Sequence, residues 1–312
     1  MPKISIVIPV YGVEKYIARC AKSLFDQKVK DVEYIFVNDC TKDDSIDILE
    51  SVIQEYAEFK NNIKIVHHKV NKGLPQARRT GVLNSTGEYI MHCDSDDWLP
   101  NDILSKIIYK LQNENPDVLI SDYFQTDEET YIHKCGLYNI HVNDVIKDML
   151  INRVSCAVWN KVFKREFYLE NFLFPSNNMA EDLAITMQLM LKVKTISYLE
   201  EPAYCYYSNM SSMTKKISKE IYLRNYQQIR ENMEIVFKAI HDSNYNNKLD
   251  KEIIALKHKK RMLYLYPYRN DMDVRNQLIS ADSEINYSLF INKYIGIKDK
   301  LRFLLVLTNL RF

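Results

Sequence analysis

The chain has 312 residues, 46% of them hydrophobic and 27% charged, with a formal net charge of +1. This length allows one large domain or two modest ones around a substantial core, within the ordinary range for globular proteins. The near-neutral balance excludes a global pull toward nucleic acid or acidic polymers, so any charge-based function must be local.

Residues 4–9 form a short β-branched run, read as a strand buried on both faces. Residues 14–26 follow with Ile17, Ala21, Leu24 and Phe25 at helical spacing. A second strand covers 32–37 and ends at Asn38-Asp39. A second helix covers 43–59, with Asp43 or Asp44 as its cap and Ile46, Leu49, Ile53 and Tyr56 on one face. A third strand at 63–67 leads to a helix near 74–84. A fourth strand at 88–92 runs into HCDSDDWLP, where Asp94, Asp96 and Asp97 crowd into four positions. Such alternation with short connections predicts right-handed βαβ units and a mainly parallel sheet. Ligands bind such sheets at the carboxyl ends of the strands. Pro9-Val10-Tyr11, Asn38-Asp39 and Asp94-Ser95-Asp96 fall there.

The pattern then loosens. Residues 101–112 read as a helix, 118–121 as a strand, 128–141 as a hairpin or loop, and 144–151 as a helix. Residues 157–159 and 161–163 are strand-like, 178–192 helical, and 195–199 and 204–207 short strands. From about 217 the composition shifts to lysine-rich helical segments at 217–241, 246–266 and 286–310. No Pro/Gly/Ser linker marks the change. The expected division is a catalytic domain over 1–210 and a helical region over 211–312, packed on it.

Six scattered cysteines without a CxxC pair predict reduced thiols rather than a disulfide framework or zinc knuckle. The start, MPKISIVIPVY, lacks the features of a signal peptide, and no run of about 18 apolar residues predicts a membrane span. A cytoplasmic protein is expected.

Carboxylates at i and i+2 where a strand exits can converge on one hard cation, Mg²⁺ or Mn²⁺, that neutralises a departing diphosphate. The bland alternative for Asp94 and Asp96 is a solvated turn capping the helix near Pro100. Asp39 can accept hydrogen bonds from a base or ribose, or simply cap the next helix. In NKGLPQARRTG, Gly73 permits a positive φ and the helix start can face an anion, with Lys72, Arg78 or Arg79 adding charge. The alternative is a helix with solvated basic residues. Glu181-Asp182 offers a general base, or acids that favour a helix dipole. Dinucleotide, P-loop, zincin and nucleophile-elbow fingerprints are absent, and His67-His68 reads as structural.

Five segments in order resemble the family-two glycosyltransferases: IVIPVYGVEKYIARCAKSLFDQ, VEYIFVNDCTKDDS, NKGLPQARRTGVLNSTGEYIMHCDSDDWL, WNKVFKREF and the later AED. The last two resemble bacterial surface-polysaccharide members. The resemblance implies the GT-A nucleotide-diphospho-sugar transferase fold, a mostly parallel sheet flanked by helices, here with a C-terminal helical extension. It implies binding of the donor nucleotide, a UDP-sugar, by Pro9, Val10, Tyr11, Asp39, Asn71, Gly73, Arg78, Asp94 and Ser95. Asp96 with Asp94 would hold Mn²⁺ or Mg²⁺, and Asp182 would be the catalytic base of a single inverting displacement. Gly12, Asn38, Cys40 and Lys42 depart from the family pattern and bear on base and ribose preference. Residues 204–209 and 211–214 resemble a segment that closes over the donor, without its basic residue, so no donor contact is assigned there.

The expected acceptor is a polysaccharide or lipid-linked glycan. A non-catalytic sugar-nucleotide binder of the same fold is the second hypothesis; the intact acidic pairs count against it. Nucleotidyl transfer would need a glycine- and basic-rich loop after the first strand, which Pro9 to Val13 does not supply. Residues 297–307 mix basic and apolar residues at helical spacing: a peripheral membrane-surface helix, or one packed on the core or on the second subunit of a homodimer.

Overall fold

The structure, a computed structural model, describes residues 2–208 and 218–308. Strands β1 (Ile4–Val10), β2 (Val32–Asn38), β3 (Ile63–His67) and β4 (Tyr89–His92) run parallel in the order β3-β2-β1-β4. Helices α1 (Ile17–Phe25), α2 (Ser45–Glu55) and α3 (Leu74–Leu83) connect them. Then come α4 (Ile103–Glu114), β5 (Val118–Thr126), β6 (Tyr131–Lys134), α5 (Val142–Leu150), β7 (Lys161–Lys164), α6 (Glu181–Met190) and β8 (Ile196–Tyr207). Strand β7 lies antiparallel to β4 and to β5, and β5 also pairs with antiparallel β6 and parallel β8.

Side-chain alternation along β1 divides the core. Ile4, Ile6, Ile8 and Val10 pack with Leu24, Leu49 and Ile107 on one face. Val7 turns to the other, toward Val82, Ile90, Ile146 and Leu183. Gly81 is required there, because a Cβ would lie 2.2 Å from Val7 Cγ1. The same core extends into the helical part, α7 (Lys219–His241), α8 (Asp250–Leu265), α9 (Met272–Ala281), α10 (Ser288–Ile291) and α11 (Ile297–Thr308), through Tyr226, Leu256, Leu278 and Phe303. These helices therefore pack on the sheet domain, as the missing linker suggested.

Several elements differ from expectation. The helix expected over 43–59 stops at Glu55, and a tighter 3₁₀ stretch, Ala57–Asn62, leads into β3. Residues 157–159 are no strand. Lys161 N donates to Val158 O, and buried Lys161 Nζ donates to Ser155 O, Ala157 O and Asn160 Oδ1, curling the segment into a turn. The two strands expected in 195–207 are one, β8, with irregular register opposite Ser121 to Phe124. The helix expected over 286–310 breaks between α10 and α11, and α9 was not anticipated. All six cysteines are free. Among the described residues no helix is long and apolar enough to cross a membrane. The 211–214 segment, Asn209 and the expected boundary at 210 lie outside the described residues.

Candidate active site

Because β1 to β4 are parallel, their carboxyl ends open on one edge, with Val10 beside Asn38 and Asn38 beside His67. Side chains of the loop after β2 staple the turn after β1. Gly12 N donates to Thr41 Oγ1, Val13 N to Ser45 Oγ and Glu14 N to Asp43 Oδ2. Asp43, not Asp44, caps this corner, its Oδ1 accepting from the Ser45 amide and hydroxyl and from Thr41 Oγ1. Of the first trio of candidate residues, Pro9 and Val10 are buried strand residues and Tyr11 is exposed.

Asp39 is buried at the next strand end. Its carboxylate accepts from Lys72 N and Gly73 N, both at 2.8 Å, and meets His68 Nδ1 at 2.7 Å. His68 Nε2 in turn reaches Thr80 Oγ1 at 2.8 Å, so the histidine bridges the loop to α3. Gly73 sits at φ +86°, open to glycine and strained for other residues. Asn178 Oδ1 accepts from Leu74 N, and Asn71 Oδ1 lies 3.2 Å from Gly73 N. The sequence reading offers the start of α3 to an anion; the structure gives these donors to Asp39 and Asn178.

The three carboxylates of the acidic turn are treated differently. Asp97 is buried and accepts from Tyr204 Oη and Tyr207 N, each at 2.7 Å, which ties the turn to the end of β8. Burial pushes its carboxyl well above the usual range. Asp94 and Asp96 are half-buried, and Ser95 is buried between them. Arg19 braces the turn from α1: its Nη2 donates to Asp96 O at 2.9 Å and its guanidinium lies 3.8 Å from the Trp98 ring centre.

At the centre lies Arg78, buried on α3. Its Nη2 donates to Asp94 Oδ1 at 2.9 Å and its Nε to Glu181 Oε1 at 3.1 Å, while Asp182 Oδ1 stands 3.7 Å from Nη2. Asp94 and the distant pair Glu181-Asp182 thus share one cation. Burial alone would lower the affinity of Arg78 for its proton; Asp94, Glu181 and Asp182 together push it well above the ordinary value. Burial pushes Asp94 up, with Arg78 opposing, and pushes Glu181 well up. Asp182 beside it adds to that rise, so burial and a like-charged neighbour together favour the protonated form of Glu181. Arg78 Nη1 is buried and has no acceptor among the described residues. Asp94 and Asp182 remain partly open, at 26% and 33% side-chain exposure, so both can be reached from the edge.

Sequence reasoning named Asp94, Asp182 and Arg78 separately and missed the roles of Glu181, Arg19, Tyr204 and Asn178. One usable signal existed: Arg78 lies one turn before buried Val82 on α3, whereas Arg79 is exposed.

A parallel β3-β2-β1-β4 sheet with carboxylates at its open edge and antiparallel strands beyond is the GT-A nucleotide-diphospho-sugar transferase fold. Residues 5–154 match the family described as glycosyl transferase family 2 and form a domain of that family. Over 210 residues the chain is 32% identical to the poly(ribitol-phosphate) beta-glucosyltransferase of Bacillus spizizenii, covering 65% of this chain and 32% of that protein. The matched part spans less than two-thirds of the length of several other curated relatives. Residues 1–349 of Staphylococcus aureus TarS, solved in complex with UDP, share the fold with a TM-score of 0.73 at 18% identity, over 98% of this chain and 87% of that one. The Pyrobaculum calidifontis mannosyltransferase PcManGT, in complex with GDP-Man and Mn²⁺, is more distant, with a TM-score of 0.57 at 13% identity over 99% and 88%.

Proposed function

We propose that this chain is an inverting hexosyltransferase that moves a sugar from a UDP-sugar to a hydroxyl of a polysaccharide or lipid-linked glycan. The observation that carries the reading is the gathering of Asp94, Glu181 and Asp182 on buried Arg78, beside Asp96 and at the open edge of the sheet. The UDP-bound relative supports the donor class, and the one holding GDP-Man and Mn²⁺ supports a divalent cation.

The residues fit such a cation in one particular way. Among the described residues no three His, Cys, Asp or Glu side chains converge as a protein cage. Asp96 and Asp94 would hold the cation with hard carboxylate oxygens from one turn, the donor type that Mg²⁺ and Mn²⁺ favour. When bound, the cation would neutralise charge on the leaving diphosphate.

The chain's own groups do the rest. Asp182 takes the proton of the acceptor hydroxyl as its oxygen attacks the anomeric carbon. Protonated Glu181 steadies Asp182, and Arg78 holds Asp94 and Asp182 in a common frame. Tyr11 is the exposed candidate for the base. Asp39 acts by fixing the 71–73 loop, with Asn71 and Gly73 shaping its rim.

Screening UDP-sugars with Mn²⁺ by thermal shift identifies the donor. The turnover of that donor is then compared with Asp182→Asn, which is expected to bind it unchanged and to lose about a thousandfold in turnover. Undiminished turnover by Asp182→Asn removes it as the base; binding without turnover by the unaltered chain, over a panel of acceptors, makes the protein a binder.

A further inference from the structure

Helix α11 buries only Phe303 and Val306 against the molecule. On its outer side Ile297, Leu301 and Leu304 follow one another at i, i+4 and i+7 and are 75%, 53% and 43% exposed. Such a stripe facing water is unfavourable unless something covers it. Lys298 and Arg302 flank it on one side and Lys300 on the other, so apolar side chains point outward between two basic margins. The ring of Phe290 on α10 lies 6.4 Å, centre to centre, from that of Phe303, so α10 packs beside α11.

We propose that this face docks on an anionic lipid bilayer, with Ile297, Leu301 and Leu304 in the acyl boundary and the basic side chains at the headgroups. The charge pattern selects that occupant. Residues 293–308 carry four cations, Lys293, Lys298, Lys300 and Arg302, against one carboxylate, Asp299. Asp299 is already engaged by Arg302, whose Nη1 lies 3.3 Å from its Oδ1. A second copy of the chain docked symmetrically on the same stripe would set these cations against their own counterparts. Phosphate headgroups complement them, and long basic side chains beside an apolar stripe reach the interface while their stems stay buried. The rest of the chain is near neutral, so it adds no net attraction to anionic lipid.

The docking is independent of sugar transfer and is read without it. The full chain is floated with vesicles of phosphatidylcholine plus phosphatidylglycerol, and with vesicles of phosphatidylcholine alone. It is expected to rise with the first and much less with the second. Leu301→Glu/Leu304→Glu and Lys298→Glu/Lys300→Glu should each weaken partitioning by at least about tenfold. The altered residues are exposed, apart from half-buried Lys300, and both variants should melt like the unaltered chain. The proposal is overturned if the unaltered chain stays at the bottom of both gradients, or if the variants float as it does. It is also overturned if sedimentation velocity finds a dimer that Leu301→Glu/Leu304→Glu splits, which would make the stripe an interface between copies.

Discussion

Two arginines, Arg78 in the sheet domain and Arg261 in the helical part, are both completely buried, and their surroundings are opposite. Arg78 is wrapped by three carboxyl groups that raise its hold on the proton. Among the described residues no carboxylate is bonded to Arg261. Its Nη1 donates to Asp282 O and Asn286 Oδ1, its Nε and Nη2 find no acceptor among the described residues, and its guanidinium covers the Phe303 ring at 4.4 Å. Burial outweighs its distant acidic neighbours and lowers its hold on the proton. A buried charge with matched partners is worth keeping where chemistry needs fixed charge. One with half its donors unmet ties helices together at a cost in stability.

The largest predicted effect tests that contrast directly. Arg78→Met leaves Asp94, Glu181 and Asp182 without their shared cation and should lower unfolding free energy at neutral pH by about 4 kcal/mol. Arg261→Met loses two hydrogen bonds but removes two unmet donors, and should stay within about 1 kcal/mol of the unaltered chain. Equal losses in urea unfolding would break the comparison.

A smaller effect sharpens it inside the site. If Glu181 carries the shared proton, Glu181→Gln keeps both bonds, its oxygen accepting from Arg78 Nε and its amide donating to Asp182. It should match the unaltered chain in stability within about 0.5 kcal/mol and retain donor turnover, while Glu181→Ala should lose about 2 kcal/mol. A Glu181→Gln protein as damaged as Glu181→Ala would show that the proton is not there.

The two regions also differ in how far their sequences could be read. Strands β1 to β4 were legible to within a residue, because short runs rich in apolar residues and bounded by helix signals mark parallel strands. The acidic turn was legible as a site from its place at a strand end. The contacts that organise it were not: Arg78 meets residues about a hundred positions away, and no local pattern encodes which helix start will face it. In the helical part, α9 escaped because its buried face is only Val274, Arg275 and Leu278, too short and too polar for a periodic signal. The break before α11 escaped because Gly296 alone marks it within an otherwise helix-favouring stretch. Lys161 escaped for the opposite reason: a lysine leading into Val162 and Phe163 looks like a strand's solvent face, and its three acceptors appear only when the chain folds around it.

The last prediction concerns the unmet polar groups of the helical part. His258 on α8 is buried edge-on to Phe303, their ring centres 5.5 Å apart, and neither of its nitrogens has a partner among the described residues. Burial, reinforced by neighbouring Arg261 and opposed by Asp299, lowers its pKa to about 4 from the usual 6.5. Between these values the unfolded chain binds the proton and the folded chain does not, so stability rises with pH across that window. The contribution is complete above about pH 6.5 and is lost as the solution is acidified toward pH 4. At pH 5 the loss should approach about 2 kcal/mol relative to neutral pH. His258→Leu removes the titrating group and both unmet nitrogens while keeping an apolar contact with Phe303. It should be at least as stable as the unaltered chain at pH 7, and its fall in stability on moving to pH 5 should be smaller by about that amount. Parallel pH profiles for the two proteins would mean that the ring is hydrated or protonated in the fold, and that Arg261 and His258 are better served than their contacts indicate.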